Sequence, residues 1–264
     1  MSLRFTILGS GSSPGVPRIG NHWGACDPRN PKNRRRRCSL MIEKHNGTDV
    51  TRIIIDTGPD FREQCLSAGI DWADAVLYTH AHADHIHGID DLRAFVINRR
   101  ERVQIYTDRP TLDRLYDAFG YCFKTPSGSS YPPILVGHEI RHGEKFSIDG
   151  PGGSIEVLPF TQIHGDIISL GFRIGDLAYS SDISALPDAS AALLKGLSYW
   201  IVDALRYLPH PSHFSLSEAV EAVRLINPRT AILTHMHIDL DFETVDQETP
   251  DNIHPAYDGW SCEI

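Results

Sequence analysis

The stretch that most constrains the fold is Thr79-His80-Ala81-His82-Ala83-Asp84-His85, placed directly after the apolar run Ala75-Val76-Leu77-Tyr78. A short apolar run of this kind reads as a buried strand, and the residues from 84 onward recur with helical spacing, so the motif sits on a strand-turn-helix passage. The pattern is H-x-H-x-D-H. On an extended turn His80 and His82 point to one side, while Asp84 and His85 open the helix and reach a second position nearby. Zinc, manganese and iron all take imidazole and carboxylate ligands, and two such ions about 3.5 to 4 Å apart can hold an activated water between them. As a solvated polar turn these residues would need no function, but four ligand-type side chains within six positions favour metal chemistry.

Around this motif, short runs rich in Val, Ile and Leu alternate with helical patterns, which predicts a mixed α/β protein. Strands are expected over 4–8, 40–43, 52–55, 75–78, 102–106, 154–159, 167–174, 176–179, 199–202 and 231–233. Helices are expected over 59–68, 84–98, 111–119, 188–197 and 215–226, the last opened by a Ser215/Glu218 capping box. No repeat or linker divides the 264 residues, so a single domain, 1–264, is expected. No apolar stretch approaches the roughly 18 residues of a membrane span. The N-terminus alternates like a strand and lacks a basic n-region and a cleavage site, and five scattered cysteines do not form a secretory framework. A cytoplasmic location is therefore expected. The formal net charge of −9 repels polyanions unless a local patch compensates.

Histidine is over-represented, at 14 residues, and its placement carries the functional reading. His164 follows an apolar strand where a bridging loop begins; alone it would be an ordinary loop histidine. Asp182 ends a strand among small residues, where a carboxylate can bridge two cations or merely cap a helix. His235 repeats the Thr-His pair of the main motif, again at a strand end. Asp56 closes a buried strand and can orient a ligand histidine. His213 and Asp203 share one strand-loop-helix passage, and a carboxylate beside a histidine holds the tautomer needed for proton transfer. The run 32–37, Lys-Asn-Arg-Arg-Arg-Arg, reads as solvated charge, with a phosphate clamp as its alternative. The Pro/Gly/Ser-rich loop 125–133 reads as a lid or a surface connection.

Taken in order, these residues resemble the metallo-β-lactamase superfamily. The resemblance implies a four-layer αβ/βα sandwich with a dinuclear site at the edge between its two sheets. It places His80, His82 and His164 on one metal, Asp84, His85 and His235 on the other, and Asp182 between them. True β-lactamases carry Cys where Asp182 stands and the flavo-diiron branch carries Glu where His82 stands, so the phosphodiesterase-like branch is indicated. Within it the chain resembles the phosphoribosyl cyclic phosphate phosphodiesterases, through Gly9-Ser10-Gly11-Ser12-Ser13, Gly15-Val16-Pro17, residues 33–39 and Tyr257-Asp258-Gly259. His213 aligns with that family's active-site histidine. The family's separate zinc site, three cysteines and a late histidine, is matched only at Cys26; Asn21, Trp23 and Ile238 occupy the other positions, with His237 one residue off. No structural zinc is therefore expected. The chain also resembles tRNA 3′-processing endonucleases, but its loop 125–133 is short and holds no Lys or Arg, unlike their basic arm.

The resemblance implies a dinuclear phosphodiesterase that hydrolyses a small cyclic or nucleotide-like phosphodiester through a metal-bridging hydroxide. Two divalent ions, zinc or manganese with iron as a third option, are the expected cofactors. Asp84 would ligate and orient the nucleophile, and His213 would serve the leaving oxygen. A tRNA-type endoribonuclease and a thioester or lactone hydrolase are the alternatives, with a non-catalytic metal- or nucleotide-binding module behind them. A small substrate is favoured over RNA as partner, no membrane is expected, and a homodimer is a compatible assembly.

Overall fold

The computed structural model describes residues 2–264. The first half runs β1 (Leu3–Gly9), β2 (Ser39–Asn46), β3 (Asp49–Ile55), α1 (Phe61–Ala68), β4 (Ala75–Leu77), α2 (Ala83–Ile86), α3 (Arg93–Arg99), β5 (Val103–Thr107), α4 (Arg109–Phe123) and β6 (Leu135–Glu139). The second half runs β7 (Phe146–Ile148), β8 (Ile155–His164), β9 (Ile167–Ile174), β10 (Leu177–Ser180), α5 (Asp188–Leu193), β11 (Tyr199–Asp203), α6 (Leu216–Ile226), β12 (Thr230–Thr234), α7 (Phe242–Glu248), β13 (Ile253–Pro255) and β14 (Ser261–Glu263).

The strands form two seven-stranded sheets, β14-β1-β2-β3-β4-β5-β6 and β13-β12-β11-β10-β9-β8-β7. In the first, β1 to β3 pair antiparallel and β3 to β6 parallel; in the second, β7 to β10 pair antiparallel and β10 to β13 parallel. Strand alternation sorts the side chains into layers. Ile53, Ile55, Ala75 and Leu77 join Phe160, Phe172 and Leu177 in the core between the sheets. Their neighbours Ile54 and Val76 point the other way, onto Phe61, Phe95 and Leu115 of the helices covering the first sheet. Leu216, Ala219 and Val223 of α6 complete the core on the second sheet's side. Helices outside two facing sheets make the expected αβ/βα sandwich.

Several sequence-based expectations change. The helix expected over 84–98 is broken into α2, a 3-10 turn (Ile89–Leu92) and α3. At the break, Gly88 N–H donates to Thr57 O at 2.8 Å, and a Cβ on Gly88 would lie 2.2 Å from Gly58 O. Packing against the 57–58 loop thus overrides helical periodicity. β8 runs through Pro159 to end on His164, because the flank of Pro159 opposite β9 has no strand pairing. β6, β7, β13 and β14 were not anticipated; they are short and form the four sheet edges, where the apolar runs are too brief to read as strands. The loop 125–133 leads into the start of β6, beside the start of β5. The H-x-H-x-D-H motif follows the opposite ends of these parallel strands, roughly 17 Å away for a five-residue strand, so the loop is not placed to cover it.

Three arginines of the basic run are tied into the fold rather than solvated, while Arg34 stays exposed. Arg35 is only 1% exposed and donates to Leu240 O at 2.8 Å, while Arg36 pairs with Asp258 and Arg37 with Asp60. Loop closure between distant parts of the chain accounts for these arginines. Among the described residues, no helix is long and apolar enough to cross a membrane.

Candidate metal centre

Six strand ends build the centre. β3 leads into Asp56, β4 leads into His80 to His85, β8 ends on His164, and β10, β11 and β12 deliver Asp182, Asp203 and His235. Asp56, Asp182 and His235 each take left-handed backbone angles, with φ of 62°, 53° and 59°. Such conformations cost a non-glycine residue about 1–3 kcal/mol and persist where surrounding contacts enforce them. Here each turns a chain leaving a buried strand sharply enough to aim its side chain into one cluster.

Two ligand groups result. His80, His82 and His164 form one, and Asp84, His85, Asp182 and His235 the other, each offering atoms within 4.8 Å of one another. Asp182 lies between them: Oδ2 is 3.1 Å from His85 Nε2, and Oδ1 is 3.4, 3.8 and 4.0 Å from Nε2 of His235, His164 and His80. Asp84 Oδ2 is 3.3 Å from His85 Nε2 and 3.8 Å from His235 Nε2. All seven residues singled out from sequence therefore meet.

Their tautomers are set from behind. His85 Nδ1–H donates to Asp56 Oδ2 at 2.7 Å, and His164 Nδ1–H to Ser212 O at 2.6 Å. Thr79 Oγ1 gives its proton to Asp56 Oδ2, so it accepts from His80 Nδ1 at 2.9 Å. Each ring thereby aims its Nε2 inward, where the neutral form presents a lone pair. Nε2 of His80, His85 and His235 and Oδ2 of Asp182 are buried with no hydrogen-bond partner. Buried polar atoms left this way are costly, and a cation satisfies all of them together. The residues fit a metal.

Electrostatics divide the centre. Burial keeps His80 well below the ordinary histidine range and lowers His164, so both stay neutral. Burial also opposes charge on His235, but Asp182 and its neighbouring carboxylates override it and raise His235 to about 9. His85 is likewise raised against its burial by Asp182, Asp84 and Asp56. Burial would raise Asp182, yet the facing His235 and His85 hold it well below the usual carboxylate range. Without metal, protons on His85 and His235 thus stand where one cation would.

His213 lies beside the ligands. Its Nδ1–H donates to Asp203 Oδ2 at 2.7 Å, and its Nε2 faces Asp182 Oδ1 at 3.9 Å, while its ring stacks on His235 with centroids 4.6 Å apart. Asp203 also accepts the backbone N–H of Ile183 at 3.1 Å. His87 packs on Phe119 and His237 faces Asp239, so neither orients a ligand. Cys26 belongs to no metal-ligand group among the described residues; its thiol faces the carbonyls of Ile238 and Leu240, with Arg35 Nη1 at 3.8 Å. Sequence reasoning missed Ser212 and Thr79, whose roles depend on backbone position and hydroxyl polarity rather than on residue type.

The family model described as beta-lactamase superfamily domain matches residues 51–236. A crystal structure of a diphosphatase from the PhnP family is 37% identical with a TM-score of 0.89, covering 100% of this chain and 98% of that one. Zinc-bound PqqB from Methylobacterium extorquens shares the fold at 16% identity and a TM-score of 0.74, over 99% of this chain and 100% of that one. An octanoyltransferase from Porphyromonas gingivalis is 35% identical over 262 residues. That match takes in 97% of this chain but 51% of the relative, so the chain spans about half that protein's length.

Proposed function

The chain belongs to the metallo-β-lactamase superfamily and is a metal-dependent hydrolase, and from that premise we propose that it hydrolyses a small phosphodiester, cyclic or nucleotide-like. The observation that carries this reading is the His213–Asp203 pair, 2.7 Å apart, set beside a complete seven-residue ligand cluster. The likeness to a PhnP-family diphosphatase over nearly the full length of both chains supports phosphoryl rather than acyl chemistry.

In this reading His80, His82 and His164 would hold one divalent ion, zinc or manganese, and Asp84, His85 and His235 a second, with Asp182 available to either. When bound, such a pair supplies a Lewis acid that lowers the pKa of water and neutralises charge on phosphoryl oxygens. Asp84, the half-buried member of its group, faces the open side and orients the incoming water. Asp203 fixes the Nδ1 proton of His213, so Nε2 is the atom that takes a proton from the incoming water and passes it to the departing oxygen. Octanoyl transfer is not assigned to this chain. The chain spans only about half the length of the octanoyltransferase it is similar to.

A hydrolysis screen with defined zinc or manganese loading tests the reading, with bis(p-nitrophenyl) phosphate, cyclic nucleotides, a cyclic ribose phosphate, a nucleoside diphosphate, precursor tRNA and a thioester in parallel. Turnover of small phosphodiesters is expected. Turnover of the thioester alone would overturn it.

A further inference from the structure

A seventh histidine beside the cluster, His210, has the opposite polarity from its neighbours. His210 Nδ1 lies 3.3 Å from the backbone N of Ser212 and 3.1 Å from Ser212 Oγ. A backbone N–H can only donate, so Nδ1 accepts, and the neutral ring carries its proton on Nε2. In His80, His85, His164 and His213 the proton is fixed on Nδ1 instead, which makes Nε2 an acceptor. His210 is therefore ill-suited to bind metal through its free nitrogen and well suited to donate a hydrogen bond.

Its position is built. The ring is half-buried, 5.2 Å from the His213 ring, and Nε2 makes no hydrogen bond within the described residues. Pro209 and Pro211 flank it and restrict its backbone. Arg206 donates from Nε to Leu208 O at 3.1 Å and from Nη2 to Pro209 O at 2.8 Å, pinning the two residues that precede it. Ser212 sets two polarities at once, since its carbonyl takes the Nδ1 proton of His164 while its N–H and hydroxyl face Nδ1 of His210.

We propose that His210 is a substrate-binding residue whose Nε2–H donates to an anionic phosphoryl oxygen beside His213, an inference that rests on the phosphodiester reading above. The donor favours a charged phosphoryl oxygen over an uncharged acyl carbonyl, because hydrogen bonds to ionised acceptors are roughly twice as strong.

The test compares the zinc-loaded full chain with His210→Ala and His210→Gln, using bis(p-nitrophenyl) phosphate as substrate and inorganic phosphate as inhibitor. His210→Ala is expected to lower kcat/KM about tenfold, carried by KM, to weaken phosphate inhibition by about the same factor and to keep its zinc. His210→Gln, which returns an N–H donor, should recover part of both. KM and phosphate inhibition within twofold of wild type in His210→Ala would overturn the proposal. Nitrogen-15 NMR of histidine-labelled wild-type protein gives a second readout that needs no variant to fold. The His210 signals should report protonation on Nε2 and shift when inorganic phosphate is added; a proton on Nδ1, or no shift, overturns the proposal. A wild-type protein that turns over no phosphodiester defeats the functional reading itself. Turnover by wild type with an indifferent His210→Ala defeats only this inference.

Discussion

Asp203 faces two histidines at once, accepting from His213 Nδ1 at 2.7 Å and lying 3.7 Å from His235 Nδ1. His213 belongs to neither of the two ligand groups proposed to hold metal, so its loss should separate chemistry from metal binding. His213→Ala is expected to lower kcat about 100-fold or more with metal content retained; unchanged turnover would remove His213 from the mechanism. Asp56 tests the opposite case. It is fully buried, receives Thr79 N–H and Oγ1–H at 2.9 and 2.8 Å, and fixes the His85 tautomer. Asp56→Ala should weaken metal affinity by about 10- to 100-fold, measurable by competition with a chromogenic chelator. At this scale the ligands were legible because carboxylates and imidazoles at the ends of apolar runs are chemically conspicuous. His210 was not, because its polarity is set by a backbone N–H two residues away that sequence does not reveal.

The elements explain why the motif holds its shape. α2 is only four residues long, too short to be stable alone. It is fixed by Thr57, whose N–H donates to His85 O and whose carbonyl accepts from Gly88 N, both at 2.8 Å. Gly58 permits that approach, since a Cβ there would lie 2.1 Å from Asp84 O. Gly58→Ala should therefore displace the turn that carries Asp84 and His85, reducing metal occupancy and lowering Tm; full occupancy by elemental analysis would contradict this role. Ser215→Ala provides the contrast. Ser215 and Glu218 form the capping box expected from sequence, and its loss should cost about 1 kcal/mol, or about 2–4 °C in Tm, with turnover unaffected. The capping box was legible because its signal is local. The break between α2 and α3 was not, since the 57–58 loop that imposes it is remote along the chain.

Across the whole molecule, the centre joins the two halves. His80, His82, Asp84 and His85 come from the first sheet's side, and His164, Asp182 and His235 from the second's. The layered α/β architecture was legible in the alternating apolar runs, but this pairing of halves became visible only once strand order was known. A ligand held only by the folded state stabilises it by mass action, so Tm should rise with free metal concentration. The metal-free protein should also show a pH dependence that the loaded protein lacks. His235 is raised from an ordinary value near 6.5 to about 9 in the folded state. A group raised on folding contributes stability that is fully present below its unfolded pKa and disappears as pH rises through the folded value. His85, also raised, adds to the same trend. Between about pH 6.5 and 9 the metal-free protein should lose on the order of 3 kcal/mol from His235 alone, a fall in Tm of about 5–10 °C for a chain of this size. Metal replaces those protons and needs the neutral rings, so loading should release protons and flatten the loaded protein's Tm over the same window. Calorimetry of both forms at matched pH tests this directly. Parallel Tm curves would mean that His85 and His235 do not hold the protons that the metal displaces.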